Sequence, residues 1–350
     1  MRAAEAGRRF NIVTVVTRAR EAGIAMFLLL LVVFFAGRSP HFLTGNNFNN
    51  ILEAIAVLTI VAVGETCVIL ARQIDLSVGS ILGMCAMVVA VLMRDHPDLP
   101  MVATFLVGSG VGLALGAFNG ILVTFGRLPS IIVTLGTLYV FRGLIVVYSN
   151  YATQSGEVYS QETGASPSFA NLATANPLGL QNSVIIAILV AILFAYLLRN
   201  TRGGRAIYAV GGNPLAANLA GLKVSRTTFL VFALSGMLAG LAAVLYTSLH
   251  LDITVHEGEN FELTVVSAVV IGGTNIFGGS GSILGTVLGA LVIGVVQNGL
   301  QTSNISSLWE QAVYGFAILG AVIVDALITR RLQQALRLRA QRKDEGVAGP

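Results

Sequence analysis

The segment that is most informative about the fold of this chain is RNTRGGRAIYAVGGNPLAANLAGLKVSR, residues 199–226. It is polar, and it lies between two apolar runs that are each long enough to cross a membrane as a helix. Asn213 followed by Pro214 predicts a helix start, because the Asn side chain can accept a hydrogen bond from a free backbone amide and proline suits the first helical position. Gly221 predicts the end of this helix after about two turns, on the order of 10 Å. A helix of that length cannot cross a bilayer.

The short helix carries an apolar stripe within a basic surrounding. Leu215, Leu219 and Leu222 recur at helical spacing. The flanking cations are Arg202, Arg205, Lys223 and Arg226. This combination favours docking against another protein over packing in a core.

The composition of the whole chain places most of it in lipid. Of its 350 residues, 55% are hydrophobic and only 11% are charged, and the mean hydropathy is +0.81, which is outside the range of soluble proteins. The pI near 9.3 follows from clustered cations near predicted membrane helices, so no nucleic-acid partner is expected. Cys67 and Cys85 lie in apolar segments without metal-ligand spacing, so neither a disulfide nor a metal site is expected.

The apolar runs predict an all-α, polytopic membrane helix bundle of about ten transmembrane helices. The predicted spans are Ala22–Gly37, Ile51–Ala71, Leu76–Met93, Met101–Phe125, Ser130–Tyr148, Ser183–Leu198, Thr227–Leu249, Leu263–Phe277, Ser282–Leu300 and Trp309–Ile328. The run Leu263–Phe277 is short and ends in glycines, so a half-helix or re-entrant element is the alternative there. The count therefore ranges from nine to eleven.

The distribution of lysine and arginine predicts the orientation. Cations cluster before the first span, in the segment 199–226, and in the tail from Arg330 to Lys343, whereas the opposite loops carry acidic residues such as Asp95 and Glu257. By the positive-inside rule, both termini and the segment 199–226 lie in the cytoplasm. The predicted organisation is a cytoplasmic N-terminal segment over residues 1–21, a membrane domain over 22–328 and a cytoplasmic tail over 329–350.

Several separated motifs carry a resemblance to a known family. Ala216-Ala217 followed by Gly221 resembles the cytoplasmic coupling loop of permease subunits of ATP-driven (ABC-type) importers, although Leu215 stands where a glutamate is often found. The further matching stretches are Ile74–Ser80, Thr134–Thr137, Gly211–Asn213, Val270–Gly273 and Gly278–Gly281. Together they look like the monosaccharide permeases of the ribose, xylose, rhamnose and autoinducer-2 group, and the resemblance extends from about Leu43 to Asp325.

The resemblance implies an assembly of several chains in a bacterial inner membrane. The permease would work as a homodimer or as a pair with a second permease, together with two cytoplasmic ATPase subunits and a periplasmic or extracellular sugar-binding protein. The chain has no Gly-Lys-Ser/Thr nucleotide loop, so ATP would be bound by the partner and this chain would carry no cofactor. The residues implied in coupling to the ATPase are Asn213, Pro214, Leu215, Ala216, Ala217, Leu219 and Gly221.

Polar residues within the predicted spans are candidates for a translocation path. Glu65 and Asp75 are ionisable groups at or near membrane depth, where such groups are costly. The uncharged candidates are Asn119, Thr134, Thr137, Asn275, Gln297 and Asn298, which could make weak hydrogen bonds with a neutral polyhydroxylated solute. Hydrogen bonding between helices is the alternative for each of them. Asp75, with Arg72 one helical turn before it, is expected to form an ion pair or to act as a charge at a helix start, and a gating role is the alternative.

The function that the sequence favours is a transport subunit for a monosaccharide or a related small polyol, not an enzyme. One alternative is a permease for a branched-chain amino acid, although that substrate would need matching charges along the path. A second is an ion-coupled secondary carrier, which would depend on Glu65. A third is a membrane-embedded enzyme that turns over substrate by itself.

Overall fold

The computed structural model describes residues 2–153, 157–159, 167–177, 179–306, 308–316 and 319–320. Its first elements are α1 (Arg2–Arg38), α2 (Gly45–Leu70), α3 (Val78–Asp95), α4 (Met101–Thr124), α5 (Ser130–Thr153), β1 (Glu157–Tyr159) and α6 (Pro167–Thr174). They are followed by α7 (Asn182–Asn200), α8 (Arg202–Gly212), α9 (Pro214–Leu219), α10 (Val224–His250), β2 (Asp252–Thr254), α11 (Phe261–Ile271) and α12 (Ile283–Thr302). The chain is a polytopic helical bundle.

Within these described ranges, eight helices are long and apolar enough to cross a membrane: α1, α2, α3, α4, α5, α7, α10 and α12. They correspond to eight of the ten predicted spans. The predicted span Leu263–Phe277 is wrong as a full crossing, because α11 has only 11 residues and so measures about 16 Å, half of a bilayer core. The half-helix alternative applies there. Of the predicted span Trp309–Ile328, residues 309–316 and 319–320 are helical, and 321–328 lie outside the described residues, as does the predicted tail.

Helix α2 lies at the centre of the bundle. Every residue from Ile55 to Leu70 is buried, as expected for a helix that is apolar on all sides. Helices α7, α8, α10, α11 and α12 pack around it. Any element that contacts the end of α2 is therefore attached to the central helix of the bundle.

Glycines bring α4 and α10 into direct backbone contact. Gly108, Gly112 and Gly116 of α4 face Gly236 and Gly240 of α10. A Cβ atom added to Gly112 would lie 2.9 Å from the Cα of Gly240 and would overlap the carbonyl oxygen of Gly236. This close approach is the small-residue packing typical of membrane helices, and it fixes one wall of the bundle.

The two ends of the bundle differ in structure. At one end, β1 and β2 form a two-stranded antiparallel sheet in which Val158 pairs with Ile253; we call this the β-sheet end. At the other end, the carbonyl of Leu70 accepts a hydrogen bond from the amide of Gly279 and lies against Gly211 of α8. Because α9 follows α8 there, we call it the α9 end.

Candidate functional site

The connection between α2 and α3 folds back into the bundle. After Leu70 the chain turns at Arg72, which has a φ of 64°. The amide of Gln73 then donates to the carbonyl of Val68 at 3.1 Å, and the amide of Asp75 donates to Glu65 Oε1 at 3.1 Å. Glu65 precedes the end of α2 by five residues, which is about 8 Å along a helix. Asp75, which is bonded to Glu65 and lies just before α3, is therefore about 8 Å inside the α9 end. The polar backbone of residues 71–77 is thus placed in the bundle interior.

Five of the predicted path residues meet around this folded-back segment. Asp75 Oδ1 accepts hydrogen bonds from the Ser77 amide at 2.9 Å and the Ser77 hydroxyl at 2.6 Å. Asn119 Nδ2 donates to Ser77 Oγ at 2.7 Å, and Thr134 Oγ1 donates to the carbonyl of Ile74 at 3.3 Å. The five are Glu65, Asp75, Asn119, Thr134 and Thr137, and all are buried. The bonds of Asn119 and Thr134 are the hydrogen bonds between segments expected as the alternative to path lining, whereas Thr137 bonds within α5 to the carbonyl of Thr134 at 3.4 Å.

The other three predicted path residues lie elsewhere. Asn298 and Asn47 exchange hydrogen bonds of 2.8 and 2.9 Å between α12 and α2, and Gln297 is half-buried beside this pair. The Asn275 side chain accepts a bond from the amide of Phe277 at 2.8 Å, within the loop of residues 272–282. The eight path candidates therefore do not all lie together, because sequence position along a span does not reveal which face a side chain occupies.

Of the two expected roles of Asp75, the ion pair with Arg72 does not form, whereas Asp75 does lie at the start of α3, where its Oδ1 accepts the Ser77 amide. Asp75 is fully buried, whereas the Arg72 side chain is exposed. The reason is the turn at Arg72, which sends Asp75 inward and leaves Arg72 at the α9 end. Helical spacing does not apply across this interruption.

A second interruption lies between β2 and α11. Here residues 255–260 reach from the β-sheet end to the first turns of α3. A Cβ atom added to Gly79 would lie 2.5 Å from the carbonyl oxygen of Gly258 and would meet the Glu262 carboxylate, and Gly83 lies against the carbonyl of Glu257. Only glycine allows this approach. The starts of α3 and α11 consequently lie side by side.

Charged side chains fix this second interruption. Arg142 of α5 donates from Nη1 to the carbonyl of Glu257 at 2.6 Å and to that of Val255 at 3.4 Å. The Glu257 carboxylate accepts hydrogen bonds from the Tyr246 hydroxyl and, through Oε1, from the Thr254 hydroxyl at 3.2 Å. No local pattern in the sequence reveals these partners of Arg142. They lie more than 100 positions away in the chain.

Helix α9 forms as the sequence predicts. Asn213 Oδ1 accepts from the Ala216 amide at 3.0 Å, and Gly221, with a φ of 83°, lets the Leu222 amide bond to the Ala217 carbonyl at 3.0 Å. The leucines that it presents are strongly exposed: Leu215 is 70% and Leu219 82% accessible. The four flanking cations, Arg202, Arg205, Lys223 and Arg226, are exposed as well.

Ala217 is buried, unlike the other residues in the middle of α9. Its side chain is only 4% accessible and faces this chain's own helices, since α9 packs on α8 and α10. A role of Ala217 in coupling stays a prediction, and in this conformation its side chain contacts this chain and not a partner. The outward face includes Leu215, Ala216 and Leu219.

A hydrogen bond connects α8, which leads into α9, to the loop of residues 272–282. Tyr208 of α8 donates its hydroxyl proton to the carbonyl of Gly281 at 2.9 Å. Burial raises the pKa of Tyr208 to about 12, so the hydroxyl remains a donor at neutral pH. The loop thus joins the surface helix pair to the half-helix α11.

A bundle of apolar spans in which the starts of two interrupted helices lie side by side has the architecture of a membrane transport protein. The chain belongs to the family described as "Branched-chain amino acid transport system / permease component", which matches residues 47–322. It is accordingly a multi-pass protein of the inner membrane and a transport subunit, not an enzyme.

Curated relatives match most of the chain. The D-allose transport system permease protein of Escherichia coli K12 is 38% identical over 309 residues, covering 88% of this chain and 92% of the relative. The ribose import permease protein of the same strain is 38% identical over 299 residues, covering 85% and 91%. The autoinducer 2 import system permease protein of Salmonella choleraesuis is 31% identical over 320 residues, covering 91% and 89%. No solved structure matches the chain.

Proposed function

We propose that this chain is the permease subunit of an ATP-driven importer that moves a monosaccharide, or a related small polyol, across the bacterial inner membrane. Relatives that bear the names of ribose, allose and autoinducer 2 transport systems match it nearly end to end. The chain itself supplies the membrane path, and ATP binds to a separate subunit.

One observation supports the substrate class: the starts of α3 and α11 each lie beside a carboxyl group of the chain itself. Asp75 accepts the Ser77 amide at the start of α3, and Glu262 lies in the first turn of α11 beside Gly79. In transporters with interrupted helices, such positive helix ends hold the anionic group of the substrate. Because Asp75 and Glu262 already occupy both ends, this arrangement favours a neutral solute over an amino acid with its carboxylate.

Charge and exposure support the proposed partner subunits. Leu215 and Leu219 on α9, with the four surrounding cations, form a surface that suits an ATPase on the cytoplasmic side. The positive-inside rule puts the α9 end, and with it both termini, in the cytoplasm. The β-sheet end then faces outward, toward a sugar-binding protein. We propose a pair of permease chains with two ATPase subunits as the complete assembly.

Uptake by proteoliposomes tests this function. They would contain the chain and its ATPase subunits, with the sugar-binding protein outside and ATP inside. D-ribose, D-allose and L-leucine would be compared as labelled solutes. We expect uptake of a sugar but not of L-leucine, dependence on internal ATP, and no effect of collapsing the proton gradient.

The rival secondary carrier makes the opposite prediction. It would accumulate solute in ATP-free vesicles when a proton gradient is imposed, and it would depend on Glu65. In our proposal Glu65→Gln retains measurable ATP-driven uptake. Gradient-driven uptake that disappears in Glu65→Gln would show that the chain is a secondary carrier and not part of an ATP-driven importer. Uptake of L-leucine would show that the substrate is an amino acid and not a sugar.

A further inference from the structure

We propose that Glu65 and Asp75 together bind a single proton inside the bundle, and that this proton keeps the segment 71–77 folded back against α2. The proposal concerns a proton-binding site, and it does not depend on which solute is transported. Its basis is the geometry of the two carboxyl groups and of the groups that surround them.

The two carboxyl groups are adjacent and fully enclosed. Both side chains are 0% accessible, and the Asp75 amide joins them by its bond to Glu65 Oε1 at 3.1 Å. The remaining oxygen of each, Glu65 Oε2 and Asp75 Oδ2, is buried and accepts no hydrogen bond within the described part of the chain. Two carboxylates in this position would leave two charged oxygens without any donor.

A third unpartnered group belongs to the same cluster. Asn119 donates through Nδ2 to Ser77, which in turn donates to Asp75, but the amide oxygen Oδ1 of Asn119 is buried without a partner. This oxygen needs a donor, and the described side chains around it do not supply one. A proton on a carboxyl oxygen would turn one acceptor of the cluster into a donor.

Among the described side chains of the surrounding elements, none brings a positive charge to balance two carboxylates. On α2 the nearest titratable neighbour is the Cys67 thiol, which is buried. Cys85 of α3 is likewise a buried thiol, Tyr208 of α8 is a neutral phenol near Cys67, and α4 and α5 contribute Asn119, Ser130 and Thr134. The cation nearest in sequence, Arg72, is exposed at the α9 end.

Electrostatic repulsion determines how many protons the carboxyl groups of Glu65 and Asp75 bind. Two like charges that are joined through one backbone amide in an apolar interior repel each other, and neither gains a cationic partner, so one carboxyl group retains its proton. With one proton bound, the pair carries a single negative charge, which the Ser77 amide and hydroxyl already stabilise through Asp75. Glu65 is therefore the group that holds the proton. Loss of that proton would favour movement of residues 71–77 toward water.

Infrared spectroscopy of the full chain in lipid nanodiscs tests the protonation directly. A protonated carboxyl group has a carbonyl stretch that is separate from the bands of carboxylates and that shifts in D2O. We expect such a band at neutral pH in the wild type, and its loss in Glu65→Gln. The matched control is Glu53→Gln on the same helix, a half-buried carboxylate that accepts a bond from Gln181 at 2.7 Å; this change should leave the band intact.

The pH dependence of thermal unfolding provides a second readout. A folded state that binds one proton more than the unfolded state loses stability as the pH rises above the ordinary glutamate pKa. We expect the unfolding midpoint of the wild type to fall from about pH 5 to pH 9, and the decline to be smaller in Glu65→Gln than in Glu53→Gln.

Three outcomes would overturn the proposal. One is the absence of the band from the wild type at neutral pH, which can be judged even if no variant folds. Another is a band that persists in both Glu65→Gln and Asp75→Asn. The third is an unfolding midpoint that rises with sodium or potassium concentration but not with acidity, because the pair would then bind a metal cation in place of a proton.

Discussion

The hydroxyl of Tyr208 and the carbonyl of Gly281 form a hydrogen bond of 2.9 Å between α8 and the loop of residues 272–282. This loop also bonds through Gly279 to the end of α2. A displacement of α8 and α9 by a bound ATPase would therefore reach the end of α2 and the half-helix α11 together.

Removing this bond should weaken coupling. Tyr208→Phe deletes the donor and leaves the Gly281 carbonyl without it, at a cost of about 0.5–1.5 kcal/mol, which corresponds to roughly two- to tenfold. We expect a loss of that size in substrate-stimulated ATP hydrolysis, with normal ATPase binding. Tyr196→Phe, on the exposed face of α7, is the control. Equal stimulation in wild type and Tyr208→Phe would show that the bond plays no part in coupling.

The exposed leucines of α9 should be required for ATPase binding. Because the side chain of Leu219 is 82% accessible, Leu219→Glu should change the chain's own stability by less than about 0.5 kcal/mol. A carboxylate in an apolar docking surface should nevertheless abolish co-purification of the ATPase. Asn200→Glu adds the same charge at the exposed start of the segment and should preserve binding. Normal co-purification with Leu219→Glu would place the ATPase elsewhere.

Ala217→Arg should act by a different route from Leu219→Glu. Ala217 is buried within the chain, so a long charged side chain would disturb the packing of α9 on α8 and α10, at a cost of about 1–3 kcal/mol or more. We expect a lower unfolding temperature of the chain even without the ATPase. An unchanged unfolding temperature combined with lost ATPase binding would show that Ala217 contacts the ATPase directly.

The glycine contact between α4 and α10 gives a matched pair of variants. Gly112→Ala places a methyl group against Gly236 and Gly240, whereas a Cβ at Gly110 on the same helix meets nothing within 4 Å. Since alanine favours helix over glycine by about 0.8–1.0 kcal/mol, Gly110→Ala should be neutral or stabilising. Gly112→Ala should lower the unfolding temperature. Similar effects from both would contradict the packing.

The orientation can be tested by cysteine labelling from either side of the membrane. Cys67 and Cys85 are buried and can be retained. We expect an impermeant thiol reagent to label Thr174→Cys, near the β-sheet end, in intact cells, and to label Ser225→Cys only after the membrane is opened. Labelling of Ser225→Cys in intact cells would show that the orientation is the opposite one.

The amino-acid sequence by itself determined the membrane class, eight of the spans and the form of α9. These features are local: about 20 consecutive apolar residues require a membrane helix, and the Asn213 cap and Gly221 terminus act within a few residues of the helix that they bound. The same locality explains why Glu65 and Asp75 could be marked as costly residues without knowledge of their contact.

The tertiary structure alone decided where the interrupted segments go. The fold-back that joins Asp75 to Glu65, the contact of Gly79 with Gly258, and the bond from Arg142 to Glu257 link segments that no local pattern relates. The inward face of Ala217 was decided in the same way, since α8 and α10 pack on that side of α9. Hydropathy reports whether a segment lies in lipid, but the direction of a turn inside the bundle depends on the polar partners that satisfy its backbone.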